Sequence, residues 1–301
     1  MKKVYVLLLN YQNWQDTLEC LDTLLKSDYP NYHVVIADNC SPNGAYEVLK
    51  EKLAQKNIVF NEKISELVFT FCKVSLVQTG YNGGFAFGNN FVIKHLINED
   101  AYIWLLNPDT VVTDQTISAF VNCANAIPLT VWGGVSYSYT YKNKVVMYGG
   151  GTYNSWGIVR SIKKRKDAHL LRYIHGGNLF THLSSFCING FIAEDYFLYW
   201  EETDWCYHFL KRGGALRVCE NAVVYDKIGG SVGKGYWQAY FMTYNKFRFF
   251  QKYFHQHLWK SFLTIFYYMI IEMLRSNRER TAAILQACID FWRKRPMSRP
   301  E

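Results

Sequence analysis

Three carboxylates fall within four positions at Glu201, Glu202 and Asp204, directly behind the aromatic pair Tyr199-Trp200. Crowded acids raise one another's pKa, which suits one of them to take up a proton near neutral pH. A helix N-terminus also gathers acids, because its dipole favours them. That accounts for two of the three, but not for the aromatic lead-in. Asp38 and Asp109 each stand just past an apolar run, Asp109 within Asn107-Pro108-Asp109. A carboxylate placed like Asp38 can accept hydrogen bonds from a pyrimidine edge or a ribose hydroxyl, while Asp38-Asn39-Cys40-Ser41 is also good turn chemistry. The run Asn82-Gly83-Gly84-Phe85-Ala86-Phe87-Gly88-Asn89-Asn90 holds three glycines and three asparagines. Opening a helix, it would offer backbone N–H groups to a pyrophosphate at close approach. A tight loop needing glycine would read the same way, and the run lacks the G-x-G-x-x-G fingerprint.

These residues need elements to hold them. Val4–Leu9 is a continuous apolar run, as in a parallel strand covered on both faces, and it ends at Asn10-Tyr11. Helical spacing follows over Trp14–Lys26, with Leu18, Leu21, Leu24 and Leu25 on one side. Strand and helix signals then alternate: Val34–Ala37, Ala45–Gln55, Ser75–Val77, Asn89–Leu96 and Tyr102–Leu106. Such alternation predicts an α/β sheet with ligands at the carboxyl ends of its strands. Asn10, Asp38, Asn107 and Asp109 fall at those ends. Past residue 130 the chain turns glycine-rich and aromatic, with strands expected over Val131–Tyr141 and Val145–Tyr148. A helix is expected from Glu201, a strand over Ala215–Tyr225, and helices over the last fifty residues.

Four motifs in this order resemble those of the inverting family 2 glycosyltransferases with a GT-A fold, especially the bacterial rhamnosyl- and galactofuranosyltransferase-like branch. The first comprises Leu8-Leu9-Asn10-Tyr11 and Ile36-Ala37-Asp38-Asn39-Cys40-Ser41. The second comprises Asn82–Asn90 and Leu105-Leu106-Asn107-Pro108-Asp109-Thr110, the third Tyr196–Asp204, and the fourth Val223-Val224-Tyr225-Asp226-Lys227-Ile228-Gly229-Gly230-Ser231. The resemblance runs from about Tyr5 to Tyr253. It implies a mostly parallel, Rossmann-like nucleotide-sugar-binding sheet over 1–250, with a nucleotide half (1–110), an acceptor half (111–250) and a helical extension (251–301). It implies donor contacts from Asn10, Tyr11, Asp38, Asn39, Ser41, Asn82, Gly83, Asn89, Asn107 and Asp109. It further implies a Mg²⁺ or Mn²⁺ ion on Asp109, which stands in the place of the family's Asp-x-Asp motif with Asn107 as its first member.

Glu202 aligns with the family's catalytic base, with Glu201 and Asp204 as the other candidates. Asp226 replaces a usual His, so it either serves as a second metal ligand or pairs with Lys227. Tyr244-Asn245 replaces the usual Arg-Asn, shifting donor phosphate binding toward Lys234 or Lys246. The implied reaction moves a sugar from a UDP- or dTDP-sugar, first of all dTDP-L-rhamnose, to a surface polysaccharide or lipid-linked glycan. A nucleotidylyltransferase would want a basic glycine loop after the first strand, where Asn10–Trp14 has none. A non-catalytic glycan-binding protein on the same fold remains the other alternative.

The bulk properties agree with these expectations. The chain of 301 residues is 50% hydrophobic and 17% aromatic, enough for a large core, and carries a net charge of +8. From Lys252 onward there are nine Lys/Arg against four Asp/Glu, and Arg160 to Lys166 forms a second basic cluster. Neither matches a nucleic-acid module, so the anion in question is a phosphate or a membrane surface. Leu258–Leu274 is apolar but carries Lys260 and Glu272, and it reads as a buried helix or one lying on an anionic membrane. Eight scattered cysteines without CxxC predict reduced, buried thiols and a cytoplasmic protein, and the apolar, basic tail would make it peripheral on the inner membrane face. Six apolar residues after Met1-Lys2-Lys3 are too few for a signal peptide.

Overall fold

A computed structural model describes residues 1–68, 71–227 and 235–297. Ile228–Ser231 of the fourth motif and Lys234 lie outside the described residues. The first part of the chain runs β1 (Lys3–Asn10), α1 (Trp14–Leu24), β2 (Tyr32–Asp38), α2 (Ala45–Gln55), β3 (Phe60–Asn61), β4 (Val74–Gln78), α3 (Gly84–Leu96) and β5 (Ala101–Leu106). It continues through β6 (Thr110–Val112), α4 (Thr116–Ala126), β7 (Thr130–Ser138), β8 (Val145–Tyr148), β9 (Gly150–Tyr153), β10 (Val159–Ser161), β11 (Tyr173–Ile174) and β12 (Asn178–His182). The remainder is α5 (Ser184–Asn189), α6 (Glu201–Lys211), β13 (Ala215–Asp226) and three helices, α7 (Tyr236–Tyr253), α8 (Leu258–Leu274) and α9 (Arg278–Trp292).

The sheet has the order β10-β9-β8-β7-β12-β5-β1-β2-β4-β3. From β5 to β3 it is parallel throughout, whereas β12 runs antiparallel to both β5 and β7. All residues of β2 and β5 are buried, because helices cover both faces. Alternation along β1 shows the two layers. Val4, Val6 and Leu8 join α1, α2 and α4 in one core. Tyr5 and Leu7 join α3, α5 and α6 in the other.

The order turns at β1, with β2 and β4 to one side and β5 to the other. Crevices form at the carboxyl ends of strands where an α/β sheet reverses in this way, and the ends of β1 and β5 carry Asn10 and Asn107. A third core joins α7, α8 and α9 to Phe197, ahead of the acidic motif. The helical layer thus starts at α7, which crosses residue 250.

Two expectations change. Helix α3 starts at Gly84 rather than Asn89, because the glycine-rich run itself forms the first turns. Cys123 of α4 and Cys219 of β13 are joined in a disulfide, Cα atoms 6.1 Å apart. The packing of α4 on β13 brings together two cysteines 96 positions apart, which no local spacing could reveal. Of the six free cysteines only Cys20 and Cys206 are buried, so a set of eight buried thiols is corrected on both counts.

Candidate active site

A cleft of about 480 Å³ opens at the carboxyl ends of β1 and β5. Tyr11, Asn39, Asn82, Asn107, Asp109, Asp226, Glu201 and Glu202 all line it, so residues far apart in the sequence meet in one place. Strand register brings Asp226 to Asp109. The end of β13 pairs antiparallel with β6, Asp226 opposite Thr110, and the Lys227 N–H donates to the Asp109 carbonyl at 3.1 Å. The Lys227 ammonium pairs instead with Asp16 and Glu19 of α1, which removes the alternative of an Asp226–Lys227 pair.

Asp109 is only 5% exposed. Burial, then the charge of Asp226, raises its pKa. His175 shares this end of the cleft, and burial holds its imidazole below the ordinary range. Nothing in the sequence marked His175 except the Gly176-Gly177 pair behind it. Gly177 is needed there, since a Cβ would come within 2.3 Å of the Asn107 side chain. The two carboxylates fit a hard divalent cation by donor type. Among the described residues no three His, Cys, Asp or Glu side chains stand close enough to hold a metal alone, so phosphate and water oxygens would complete its shell.

The acids of the third motif owe their place to an unusual backbone. Phe197, Tyr199 and Trp200 all have positive φ, at 57°, 66° and 77°. For non-glycine residues each such conformation costs on the order of 1 kcal/mol, and it persists only where the surroundings impose it. Asn245 of α7, fully buried, does much of this. Its amide donates to the carbonyls of Tyr196, Leu198 and Tyr199 at 2.7, 2.8 and 3.0 Å. Gly84 closes the other side. The Phe85 N–H donates to the Phe197 carbonyl at 2.8 Å, and a Cβ on Gly84 would lie 2.1 Å from that oxygen.

So held, Glu201 and Glu202 open α6 with one carboxylate oxygen each buried and without a hydrogen-bond partner among the described residues. Burial pushes Glu202 up to about 7, against the opposing pull of nearby backbone N–H groups. Burial, followed by the Glu202 charge, raises Glu201. Two acids that each keep a buried, unpartnered oxygen are prepared to exchange a proton with something that enters the cleft.

The remaining candidates lie beneath or beside the cleft. Asp204 faces away: it accepts from Tyr196 Oη (2.8 Å), Tyr253 Oη (2.7 Å) and Lys252 Nζ (3.1 Å), tying α6 to α7. Its expected place among the reacting acids is corrected to a structural one. Asp38 is fully buried, one oxygen accepting from Asn10 Nδ2 (2.7 Å) and Ser41 Oγ (2.6 Å), the other from the Ser41 N–H (2.9 Å). Ser41 Oγ in turn receives the Gln12 N–H at 2.8 Å. Asn10, Asp38 and Ser41 therefore brace the loop that presents Tyr11 and do not line the cleft. Asn89 bonds its amide back to the Phe85 carbonyl within α3, and Gly83 is the N-cap of that helix, leaving Gly84 and Phe85 at the cleft. Lys246, expected at the donor phosphates, lines a separate cavity.

Comparison with known proteins agrees with this geometry. A family model described as "Glycosyl transferase family 2" matches residues 5–187. No curated protein matches the chain significantly. Among solved structures, the mannosyltransferase PcManGT from Pyrobaculum calidifontis, in complex with GDP-Man and Mn²⁺, is similar at 13% identity and a TM-score of 0.59. That match covers 97% of this chain and 87% of that one. GalNAc-T7 with UDP, GalNAc and Mn²⁺ is similar at 13% identity and a TM-score of 0.59, over 75% of this chain and 44% of that one, so the chain spans less than half of its length. S. aureus TarS 1–349 matches at 14% identity and a TM-score of 0.53, over 82% of this chain and 64% of that one. These likenesses establish a GT-A-like α/β fold with a mostly parallel mixed sheet and a helical C-terminal part. With more than half its length matched by the family model, the chain belongs to glycosyl transferase family 2.

Proposed function

We propose that the chain transfers a sugar from a nucleoside diphosphate donor to a glycan hydroxyl with inversion, Glu202 acting as the base. The observation that carries this reading is the pair Glu201 and Glu202, each with one buried carboxylate oxygen left without a hydrogen-bond partner among the described residues, in the same cleft as Asp109. The acceptor oxygen attacks the anomeric carbon as the bond to the diphosphate breaks. Glu202 takes the hydroxyl proton, and the nucleoside diphosphate leaves with the bonding pair. No covalent sugar–enzyme intermediate is needed. Tyr11, Asn39, Asn82 and Asn107 would hold the donor. Asp109, with Asp226 as the second carboxylate, would hold a divalent cation whose charge stabilises the departing diphosphate.

A UDP- or dTDP-sugar, first of all dTDP-L-rhamnose, is the donor by resemblance. The test is donor hydrolysis across UDP-, GDP- and dTDP-sugars with Mn²⁺ or with EDTA. Metal-dependent turnover of at least one donor supports the reading. Glycan binding without turnover of any donor would favour a non-catalytic binding protein.

The acceptor lies with a membrane in this proposal. Trp259, Leu263, Phe266, Tyr267, Ile270 and Leu274 are all exposed and recur along one face of α8. Leu285 and Trp292 of α9 are exposed as well, and Trp292 stacks on Phe262 of α8 at 4.8 Å. Arg275, Arg293, Lys294 and Arg295 are exposed at the ends of the two helices, while the acids Glu272 and Asp290 are turned inward. An apolar stripe with a basic rim suits an anionic bilayer surface. No helix among the described residues is long and apolar enough to cross a membrane, so the contact would be peripheral, on the inner face of the cytoplasmic membrane.

A further inference from the structure

A second cavity, of about 340 Å³, lies among α7, α8, α9 and the turn that precedes β10. Lys246 of α7 lines it and is 6% exposed. Among the described residues its ammonium has no hydrogen-bond or ion-pair partner; its contact is the Tyr268 ring, 5.5 Å away. Burial with no compensating charge lowers its pKa to about 8. Such a group costs stability unless something enters to meet it.

The other charges of the cavity do not serve. Glu272 is engaged by Arg280 at 3.5 Å and Arg275 at 3.8 Å, and Arg280 also donates to Gln238 at 3.0 Å. The Trp200 indole N–H, in the same lining, is buried and likewise without a hydrogen-bond partner. Two unanswered donors in one cavity call for an acceptor, and the lysine asks for a negative one.

Location adds to this. The cavity reaches the surface at Tyr268 and Met242, both exposed. Tyr268 packs against Tyr267, a member of the outward apolar stripe of α8, at 5.9 Å between rings. On the inner side, Gln238 lines both this cavity and the active-site cleft, and Trp200 immediately precedes Glu201.

We infer that this cavity is an anion site for the phosphate of a lipid-linked acceptor, its apolar chain leaving along α8 and its sugar directed past Gln238 toward Glu202. The assignment of the acceptor rests on the transferase reading; the anion site itself does not. A phosphate oxygen would accept from Lys246 Nζ and the Trp200 indole, and the lysine would stay charged in its presence.

The test uses the full chain and titrates farnesyl phosphate, farnesol, inorganic phosphate and dihexanoyl phosphatidic acid by calorimetry, in the wild type and in Lys246→Met. Met keeps the length of the side chain, and by removing an unpaired buried charge it should raise the Tm of the unliganded protein. Farnesyl phosphate should bind the wild type at least tenfold more tightly than farnesol or inorganic phosphate, and Lys246→Met should lose that margin. Wild-type binding should also weaken as the pH rises past 8.

Farnesyl phosphate binding more tightly than dihexanoyl phosphatidic acid supports an isoprenyl-linked acceptor. The reverse order would replace the acceptor with a membrane lipid and overturn that part of the inference. Equal affinity in wild type and variant, no preference for the phosphorylated chain, or a lower Tm in Lys246→Met would overturn the site. Metal-assisted nucleotide binding, measured in both proteins, separates the two readings. If it is normal in both while farnesyl phosphate fails to bind, the cavity assignment falls and the transferase reading stands.

Discussion

At the residue scale, hydrogen-bond partners divide the candidate acids more sharply than their spacing does. Glu201, Glu202 and Asp204 look equivalent in sequence, yet Asp204 has three partners, two of them on α7, while each glutamate keeps one unpartnered oxygen. That difference depends on which side chains α7 presents, which the local pattern does not encode. Asp38 reads ambiguously for a similar reason, because a carboxylate at a strand end serves a ligand or a turn with the same residues around it. The raised Glu202 pKa has a consequence for stability. Its folded value of about 7 exceeds the unfolded value near 4.3, so the folded state binds the extra proton and loses stability as pH rises from about 4 to 7. Glu202→Gln should therefore be more stable than wild type above pH 7, with the gain fading toward pH 4. Urea midpoints at pH 4.5 and 8 measure this, and a gain independent of pH would contradict it. Asp109→Ala should lose Mn²⁺-assisted nucleotide binding without unfolding, since the residue stands at the cleft. Undiminished binding by calorimetry would remove Asp109 as a metal ligand.

At the element scale, the parallel strands were legible because burial on both faces writes them as unbroken apolar runs. Ala45–Gln55 and Leu258–Leu274 match their helices residue for residue. The start of α3 was missed because three glycines hide a helix from propensity, although its close approach to the Phe197 carbonyl requires one of them. The clamp from Asn245 was not legible either. Nothing local says that one amide will hold three carbonyls 46–49 positions away. Because that clamp fixes the strained approach to Glu201 and Glu202, Asn245→Ala should destabilise the fold by roughly 1–3 kcal/mol. It should also lower the transfer rate while leaving nucleotide affinity close to wild type. Melting curves together with a kcat-against-KM comparison decide it, and an unchanged rate would make Asn245 merely structural.

At the scale of the whole molecule, a polar cleft, a helical layer and the outward apolar stripe of that layer belong to one chain. The stripe on α8 was legible only as density of apolar residues; its exposure had to come from the packing of α8 on α7 and α9. Wild-type protein should float with liposomes containing phosphatidylglycerol, less so at high salt, each basic residue near the surface contributing about 1 kcal/mol. The double variant Leu263→Asp/Phe266→Asp should stay at the bottom of the gradient, and equal flotation would rule out this face. The central claim, inverting transfer with Glu202 as base, is tested most directly by single-turnover transfer from an active donor, with the anomeric configuration of the product read by NMR. The account predicts inverted product from the wild type, a rate about 10²–10⁴-fold lower in Glu202→Gln with nucleotide binding intact, and a smaller loss in Glu201→Gln. Retained configuration, or near wild-type transfer by Glu202→Gln, would contradict it.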